Sequence, residues 1–440
     1  MTPVGVLLEQ FRAVSQLPEA ERISLTRPGG QFHPSCPKDR NGLMIPAGVV
    51  ESIVLKFLFQ RGAAWGKEIG LQLKIPIAMV HDIMRDYKAQ QIVGYRSSSS
   101  LHDFQYELTN IGKERAVRYD QACSYYGSLP VCFDEYLASV DSQSLDLQKP
   151  RKSHLTSCLS ELSINPTIMD QLGMAIQSSR ALFLFGAPGN GKTSIAQRLC
   201  RAFGESIWIP RTILIHEQIV RIYDPAVHEE VPCADEQNID QRWIRIKRPT
   251  IVVGGELTMD QLEMTLIGDS KVVEAPLHIK SNCGVFVVDD FGRQRISTTE
   301  LLNRWIHPLE TRHDFLNLPN GSKICFPFDQ LVIFSTNLDP KSLVDEAFLR
   351  RIPYKIEVID PTVDEFRQLF VKLAASMQIS LPPEILDSLI DEYYVKPQRP
   401  FRFCQPRDLL SQMKSYCEFH ERPLVATTDA IRMAVRNYFT

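Results

Sequence analysis

This 440-residue sequence predicts an α/β fold built on a parallel sheet, with a small α+β unit before it and a helical unit after it. Three observations carry that expectation. The apolar run Ala181 to Phe185 breaks into Gly186-Ala187-Pro188-Gly189-Asn190-Gly191-Lys192-Thr193, and a helical pattern then runs from Ser194 to Phe203. Cys283-Gly-Val-Phe-Val-Val-Asp289-Asp290 places four apolar residues before two carboxylates. Leu331-Val-Ile-Phe-Ser-Thr-Asn337 places a third apolar run before an amide. Short continuous apolar runs suit strands buried on both faces of a parallel sheet, and ligands bind beyond the carboxyl ends of such strands.

Composition sets wide bounds. With 44% hydrophobic and 23% charged residues the chain reads as ordinary globular protein, long enough for two or three cores. A net charge of -3 offers no global basic field, so a nucleic-acid contact needs a local patch. The ten cysteines show no C-x-x-C pair and no zinc spacing, which suits reduced thiols in a cytoplasmic setting. No apolar run approaches a membrane span, so no membrane insertion is expected.

Along the chain, residues 1–45 hold the breakers Arg27-Pro-Gly-Gly30 and Pro34-Ser-Cys-Pro37 and read as a loosely held arm. Residues 46–140 read as a small unit. Helical spacing over Val49 to Gln60, Lys67 to Leu73 and Ile77 to Gln90 is followed by strands at Ile92 to Arg96 and Phe104 to Leu108 around a serine-rich tip. Three helices and a hairpin resemble a winged helix, with Ile77 to Gln90 as its recognition helix. His81, Arg85 and Lys88 stand there against Asp82 and Asp86, with only Arg96 and His102 near the wing tip, so a protein partner is favoured over DNA. An aromatic segment, Tyr125 to Pro130, leads to a helix over Phe133 to Val140, and the polar stretch 141–154 reads as a linker. Helical sequence from Leu155 to Ile176 leads into the first apolar strand, and Glu205 to Ile215 reads as a further strand.

The glycine-rich segment matches G-x-x-x-x-G-K-[ST] in strand–loop–helix context. Its glycines let successive N–H groups point at one phosphate chain, and the following helix adds its positive N-terminal end. Gly186 to Ser194 therefore form the expected triphosphate cradle, in which Lys192 reaches the β- and γ-phosphates and Thr193 ligates Mg²⁺. Asp289 is the expected second Mg²⁺ group, Asp290 the carboxylate that polarises the attacking water, and Asn337 a hydrogen-bond donor to the γ-phosphate or that water.

Loop, carboxylates and amide in this order resemble an AAA+ ATPase, over residues 155 to about 437. The resemblance implies a nucleotide-binding domain over 155–360 and a helical lid over 361–440, with ATP and Mg²⁺ bound between them. It implies Walker A at Gly186 to Thr193, Walker B at Val285 to Asp290 and sensor 1 at Asn337. It places an arginine finger in Asp345-Glu-Ala-Phe-Leu-Arg350-Arg351-Ile352, with Arg351 preferred to Arg350, and sensor 2 on Arg407, at the start of a lid helix. Members of the family assemble as rings, so the resemblance implies a self-associating hexamer acting on a client protein. The hairpin pattern Phe315 to Pro327, with Asn320-Gly321 at its tip, resembles the pre-sensor-1 hairpin of the MoxR-like group. Ile251 to Ser281 is read as an insertion able to line a central pore. Asp240 to Trp243 and Asp290 to Gln294 are subunit contacts or structural turns. Two alternatives remain at this point: a DNA-directed ATPase using the winged helix, and a slow nucleotide switch, since the family usually has Glu where this chain has Asp290.

Overall fold

In the computed structural model, which describes residues 32–98, 103–178, 180–233, 238–344 and 346–439, helix α1 (Ala47–Arg61) buries Val50, Ile53, Val54, Phe57 and Leu58 and stops at Gly62, φ 81°. Strand β1 (Ala63–Trp65), helices α2 (Gly66–Leu73) and α3 (Ile77–Ala89), strands β2 (Val93–Ser98) and β3 (Phe104–Leu108) and helix α4 (Asn110–Ala122) complete this first unit. Its sheet is antiparallel in the order β1-β3-β2, and Tyr106 on β3 is buried beneath the helices. Residues 1–31 of the expected arm, and Ser99, Ser100 and His102 of the expected wing tip, lie outside the described residues.

The next elements are β4 (Val131–Cys132), α5 (Phe133–Gln143), α6 (Lys152–Cys158), α7 (Pro166–Gln177), β5 (Leu182–Phe185) and α8 (Lys192–Leu199). After them come β6 (Ser206–Pro210), β7 (Thr212–Ile215), β8 (Gln218–Arg221), β9 (Trp243–Lys247), β10 (Thr250–Val253), β11 (Thr265–Leu266), β12 (Val273–Glu274) and β13 (Gly284–Val288). Helix α9 (Thr298–Thr311), the hairpin β14 (His313–Asn317) and β15 (Lys323–Pro327), β16 (Gln330–Thr336) and β17 (Tyr354–Glu357) complete the sheets. The C-terminal helices are α10 (Val363–Ser376), α11 (Pro383–Ile390), α12 (Gln405–Phe419) and α13 (Thr428–Phe439), packed around Phe366, Phe370, Leu410 and Ile431.

The central sheet is wholly parallel, in the order β10-β13-β16-β5-β17, so the parallel-sheet α/β core and the helical C-terminal region are both present. Val285, Val287, Leu331 and Ile333 turn to one core and Phe286, Val288, Val332 and Phe334 to another, as expected of strands covered on both faces.

A second sheet, in the order β11-β12-β8-β7-β4, stands beside it. Here the structure corrects the strand expected over Glu205 to Ile215. That run turns at Arg211, whose N–H donates to Arg242 O at 2.9 Å and whose carbonyl accepts from Ile222 and Tyr223. Its two halves, β6 and β7, pair with β9 and β8, and neither enters the central sheet. The strand that joins the central sheet instead is β10, at its edge, which overlaps the head of the stretch expected to line a pore. The rest of that stretch is also engaged: β11 and β12 join the second sheet, and the turn Gly268–Ser270 accepts Ser124 N–H at Ser270 O.

The segment Asp240 to Trp243 is a buried clamp. Arg242, 1% exposed, donates to both Asp240 carboxylate oxygens, and its Nη1 donates to Leu43 O and Pro130 O, both at 3.1 Å. The polar stretch expected as a linker is likewise pinned, because the Asp329 carboxylate accepts from Ser144 Oγ at 3.0 Å and Leu145 N at 3.1 Å.

Beneath the hairpin, Asp314 takes His278 Nε2 at 2.7 Å and both terminal nitrogens of Arg304 at 2.6 and 2.8 Å. Burial pushes the Asp314 carboxyl up, but these hydrogen bonds and charges outweigh it and hold its pKa at about 2. A depressed carboxyl stabilises the fold above its unfolded value, and that stabilisation is lost as pH falls from about 4 through 2. Urea unfolding at pH 5 and pH 2.5 is expected to show about 2 kcal/mol more loss in the wild type than in Asp314→Asn. Equal losses would remove Asp314 from the acid response.

Candidate functional site

The register of the central sheet assembles the site. Phe185 pairs with Thr336, and Val288 with Phe334, so Gly186, Asn337 and Asp289 emerge together at the carboxyl edge. Beyond β5 the chain curls with Gly186 at φ 134°, Gly189 at φ 84° and Gly191 at φ 80°. Gly186 has a second requirement: a Cβ there would lie 2.5 Å from Val358 O. Side chains disfavour both the dihedral and the contact, so glycine is fixed by geometry.

Lys192 opens α8 and is 7% exposed. Its Nζ donates to Gly186 O at 2.9 Å, Ala187 O at 3.0 Å and Asn337 Oδ1 at 2.7 Å. Burial pulls its pKa below the ordinary lysine value, against the upward pull of the Asp289 and Asp290 carboxylates; the Arg402 guanidinium adds to the lowering. The cation is thus held over the loop by two carbonyls and one amide. Thr193 Oγ1 donates to Asp289 Oδ2 at 2.7 Å, and Asn337 Nδ2 donates to Asp290 Oδ1 at 3.1 Å. One hydroxyl and one carboxylate oxygen, side by side, are the hard oxygen donors that suit Mg²⁺.

The segment Asp290 to Gln294 is a turn that aims these carboxylates. Asp290 takes φ 48°, Phe291 is buried, and Gln294 Nε2 donates to Asp289 O at 2.8 Å while its Oε1 accepts from Gly292 N at 2.8 Å. Asp290 itself is exposed to the cleft.

The cleft above the loop has a volume of about 780 Å³, within the range that small-molecule sites occupy. Pro188, Gly189, Asn190, Thr193 and Ser194 line its floor. Ile164, Ile168, Ile359 and Leu369 offer an apolar wall, and Cys404 and Arg407 come from the C-terminal helices. Arg407 is exposed in the first turn of α12, which begins two residues earlier than expected, at Gln405.

Arg350 and Arg351 are not among the described residues lining this cleft. Arg351 Nε pairs with Glu310 Oε1 at 2.7 Å. Arg350 is exposed on a surface shared with Glu346, Leu349 and Lys355. Arg351, the guanidinium expected to project, is thus engaged within its own chain. Asp345 of that segment lies outside the described residues.

Sequence reasoning placed Asn190 in the cradle but missed Asp360, Arg402 and the contacts that tie the loop to its surroundings. Asn190 is 2% exposed, and its Nδ2 donates to Asp360 Oδ1 at 2.7 Å and Val358 O at 3.2 Å. Arg402 pairs with the other Asp360 oxygen, and Cys404 N donates to Gly189 O at 2.9 Å. A buried amide inside a phosphate-type loop was the only local signal of this arrangement.

A family described as "Domain of unknown function (DUF8689)" matches residues 362–437. No curated protein matches the chain. Among solved structures, NtrX from Brucella abortus in complex with ATP is 14% identical, aligns with 62% of this chain and 57% of its own, and gives a TM-score of 0.39. This chain thus spans little more than half the length of that structure. A point variant of RuvB from Thermotoga maritima is 13% identical, with 67% and 72% covered and a TM-score of 0.36. The Thermotoga maritima RuvB Holliday junction branch migration motor is 12% identical, with 62% and 70% covered and a TM-score of 0.36.

Proposed function

We propose that this chain is an AAA+ ATPase that binds Mg-ATP in the cleft, hydrolyses it, and uses the cycle to remodel a partner protein as a ring of identical subunits. The observation that carries the reading is the convergence of Lys192, Thr193, Asp289, Asp290 and Asn337 at the ends of three adjacent parallel strands. Loop N–H groups and the α8 N-terminus hold the phosphate chain, and Lys192 neutralises its outer charge. Thr193 and Asp289 would hold Mg²⁺, which would supply charge neutralisation to the phosphates. Asp290 orients the attacking water and takes up its proton, and Asn337 fixes the Asp290 carboxylate. Arg350 is the better-placed guanidinium for a neighbour's phosphate, since it is exposed and Arg351 is paired.

The first unit, read as a winged helix, suits a protein partner better than DNA. Arg85 pairs with Asp82 at 3.2 Å, Arg40 with Asp86 at 3.2 Å, and Lys88 Nζ sits 3.4 Å over the Tyr95 ring, so these three cations are already engaged. No helix among the described residues is long and apolar enough to cross a membrane.

Asp290→Asn tests the chemistry. Affinity for a fluorescent ATP analogue is expected to stay within ~3-fold while steady-state turnover falls ~100-fold, the usual share of a general base. Undiminished turnover would exclude Asp290. The short Asp290 side chain favours a slow-switch variant of the reading, which a wild-type turnover too slow for cycling, with tight ATP binding, would select.

A further inference from the structure

Resting on that reading, we propose that Asn190, Asp360 and Arg402 form a relay that couples the phosphate loop to the C-terminal helices, and that Asp360 is a positioning residue for hydrolysis. The three residues are far apart in sequence and are joined by one carboxylate. Asp360 comes after β17 and before α10, so it stands where the sheet hands over to the helical region. Its Oδ1 accepts from Asn190 Nδ2 of the loop at 2.7 Å, and its other oxygen pairs with Arg402 of the segment leading into α12.

The contacts on both sides are tight. Val358 O accepts from Asn190 Nδ2 at 3.2 Å, and Val358 N donates to Phe185 O at 2.8 Å. Gly189 faces Cys404 so closely that a Cβ would lie 2.5 Å from Sγ, while Cys404 N donates to Gly189 O. Arg402 N is itself held by Gln405 Oε1 at 2.9 Å, which makes its position a function of the α12 start. The loop therefore cannot shift against the C-terminal helices without breaking charge-assisted bonds at Asp360 or the backbone bond at Gly189.

Electrostatics give this geometry a direction. Arg402 stands against the loop that carries Lys192, its Cβ 3.7 Å from where a Cβ on Gly189 would lie. A triphosphate arriving at Lys192 brings a second set of anionic oxygens within the field of Arg402, in competition with Asp360. Occupancy of the loop is thereby converted into a change of partner for Arg402, and α12 moves with it because Arg402 is bound to its first turn. Arg407, to which the family resemblance assigns nucleotide sensing, rides on the same helix and is carried with it.

The test uses the full chain and the ATP analogue. Asp360→Asn keeps the acceptor for Asn190 and removes the charge that holds Arg402; Arg402→Gln removes the same pair from the other side. Both are expected to lower kcat ~10-fold, with nucleotide bound more tightly by Asp360→Asn and less tightly by Arg402→Gln, and with the double variant no slower than either single one. Hydrogen exchange over residues 402–419 is expected to slow on nucleotide binding in the wild type and to be indifferent to nucleotide in both variants. This readout does not require turnover. Wild-type nucleotide binding with no exchange response, additive losses in the double variant, or an unchanged response in Asp360→Asn would each overturn the relay while leaving the ATPase reading intact. A wild type that binds no nucleotide would overturn both.

Discussion

Lys192→Ala is expected to weaken triphosphate binding at least ~100-fold, a loss of about 2.7 kcal/mol, and to leave no measurable turnover. The side chain is a nearly buried cation whose three N–H donors end on Gly186 O, Ala187 O and Asn337 Oδ1. Charge-assisted hydrogen bonds to phosphate are each worth about 1.5–3 kcal/mol, so removing the donor that meets the outer phosphates costs most of the specific affinity. Asn337 suffers as well. Without Lys192 its Oδ1 has lost its cation, and the amide that fixes Asp290 is no longer oriented from both ends. Binding is read by titration of a fluorescent ATP analogue, with thermal unfolding as the control for folding. Affinity retained within ~3-fold in a folded protein would falsify the assignment of the loop.

Arg242→Met carries the largest expected effect on stability, about 3–5 kcal/mol in urea unfolding. Asp240 is 3% exposed and has Arg242 as its ion-pair partner, so the variant leaves a buried carboxylate without its cation. It also strips the donor from Leu43 O and Pro130 O, two carbonyls that belong to the first unit and to the approach to β4. Lys would not rescue the site, because Arg242 meets Asp240 through Nε and Nη2 and the two carbonyls through Nη1, a planar fork wider than a single ammonium nitrogen. Replacing Asp240 by Leu together with Arg242 by Met should recover part of the loss, since Asp240 no longer buries a charge while Glu135, 3.9 Å from Arg242, still loses its cation. A single-variant loss below about 1 kcal/mol would show the clamp to be incidental.

How much of the fold and the site was legible depended on sequence distance. Gly186 to Thr193, the Asp289–Asp290 pair and the strand ending at Asn337 are local patterns, in which chemistry and secondary structure occupy the same dozen residues. The parallel order of their strands is implied by the apolar runs alone. The hairpin β14–β15 was readable because Asn320-Gly321 specifies its turn, with Gly321 at φ 84°. The second sheet was not. Its strands are two to four residues long, and their partners are set by contacts that periodicity does not carry. Glu205 to Ile215 looked continuous because the break at Arg211 is made by a carbonyl of Arg242, far along the chain. Asp360 and Arg402 were silent for the same reason: an Asp after a strand and an Arg before a helix are ordinary until folding brings them to one amide.

The placement of β4 and α5 bears on how this protein can be divided. Composition puts a seam near residue 141, yet Val131–Cys132 pairs with β7 at the rim of the second sheet, and Tyr136, Leu137 and Val140 of α5 fill that sheet's core. Severing the chain at the polar stretch would leave Thr212–Ile215 with a bare row of backbone donors and acceptors, a ready template for a foreign strand. A cut near Ala122, where α4 closes, would spare that sheet but still part Leu43 O from Arg242, Leu73 O from Leu129 N, and Ile219 and Val272 from the first unit's core. The chain from the aromatic bend onward is a dovetail cut into the body of the next module, and a cut on either side of it opens a packed seam.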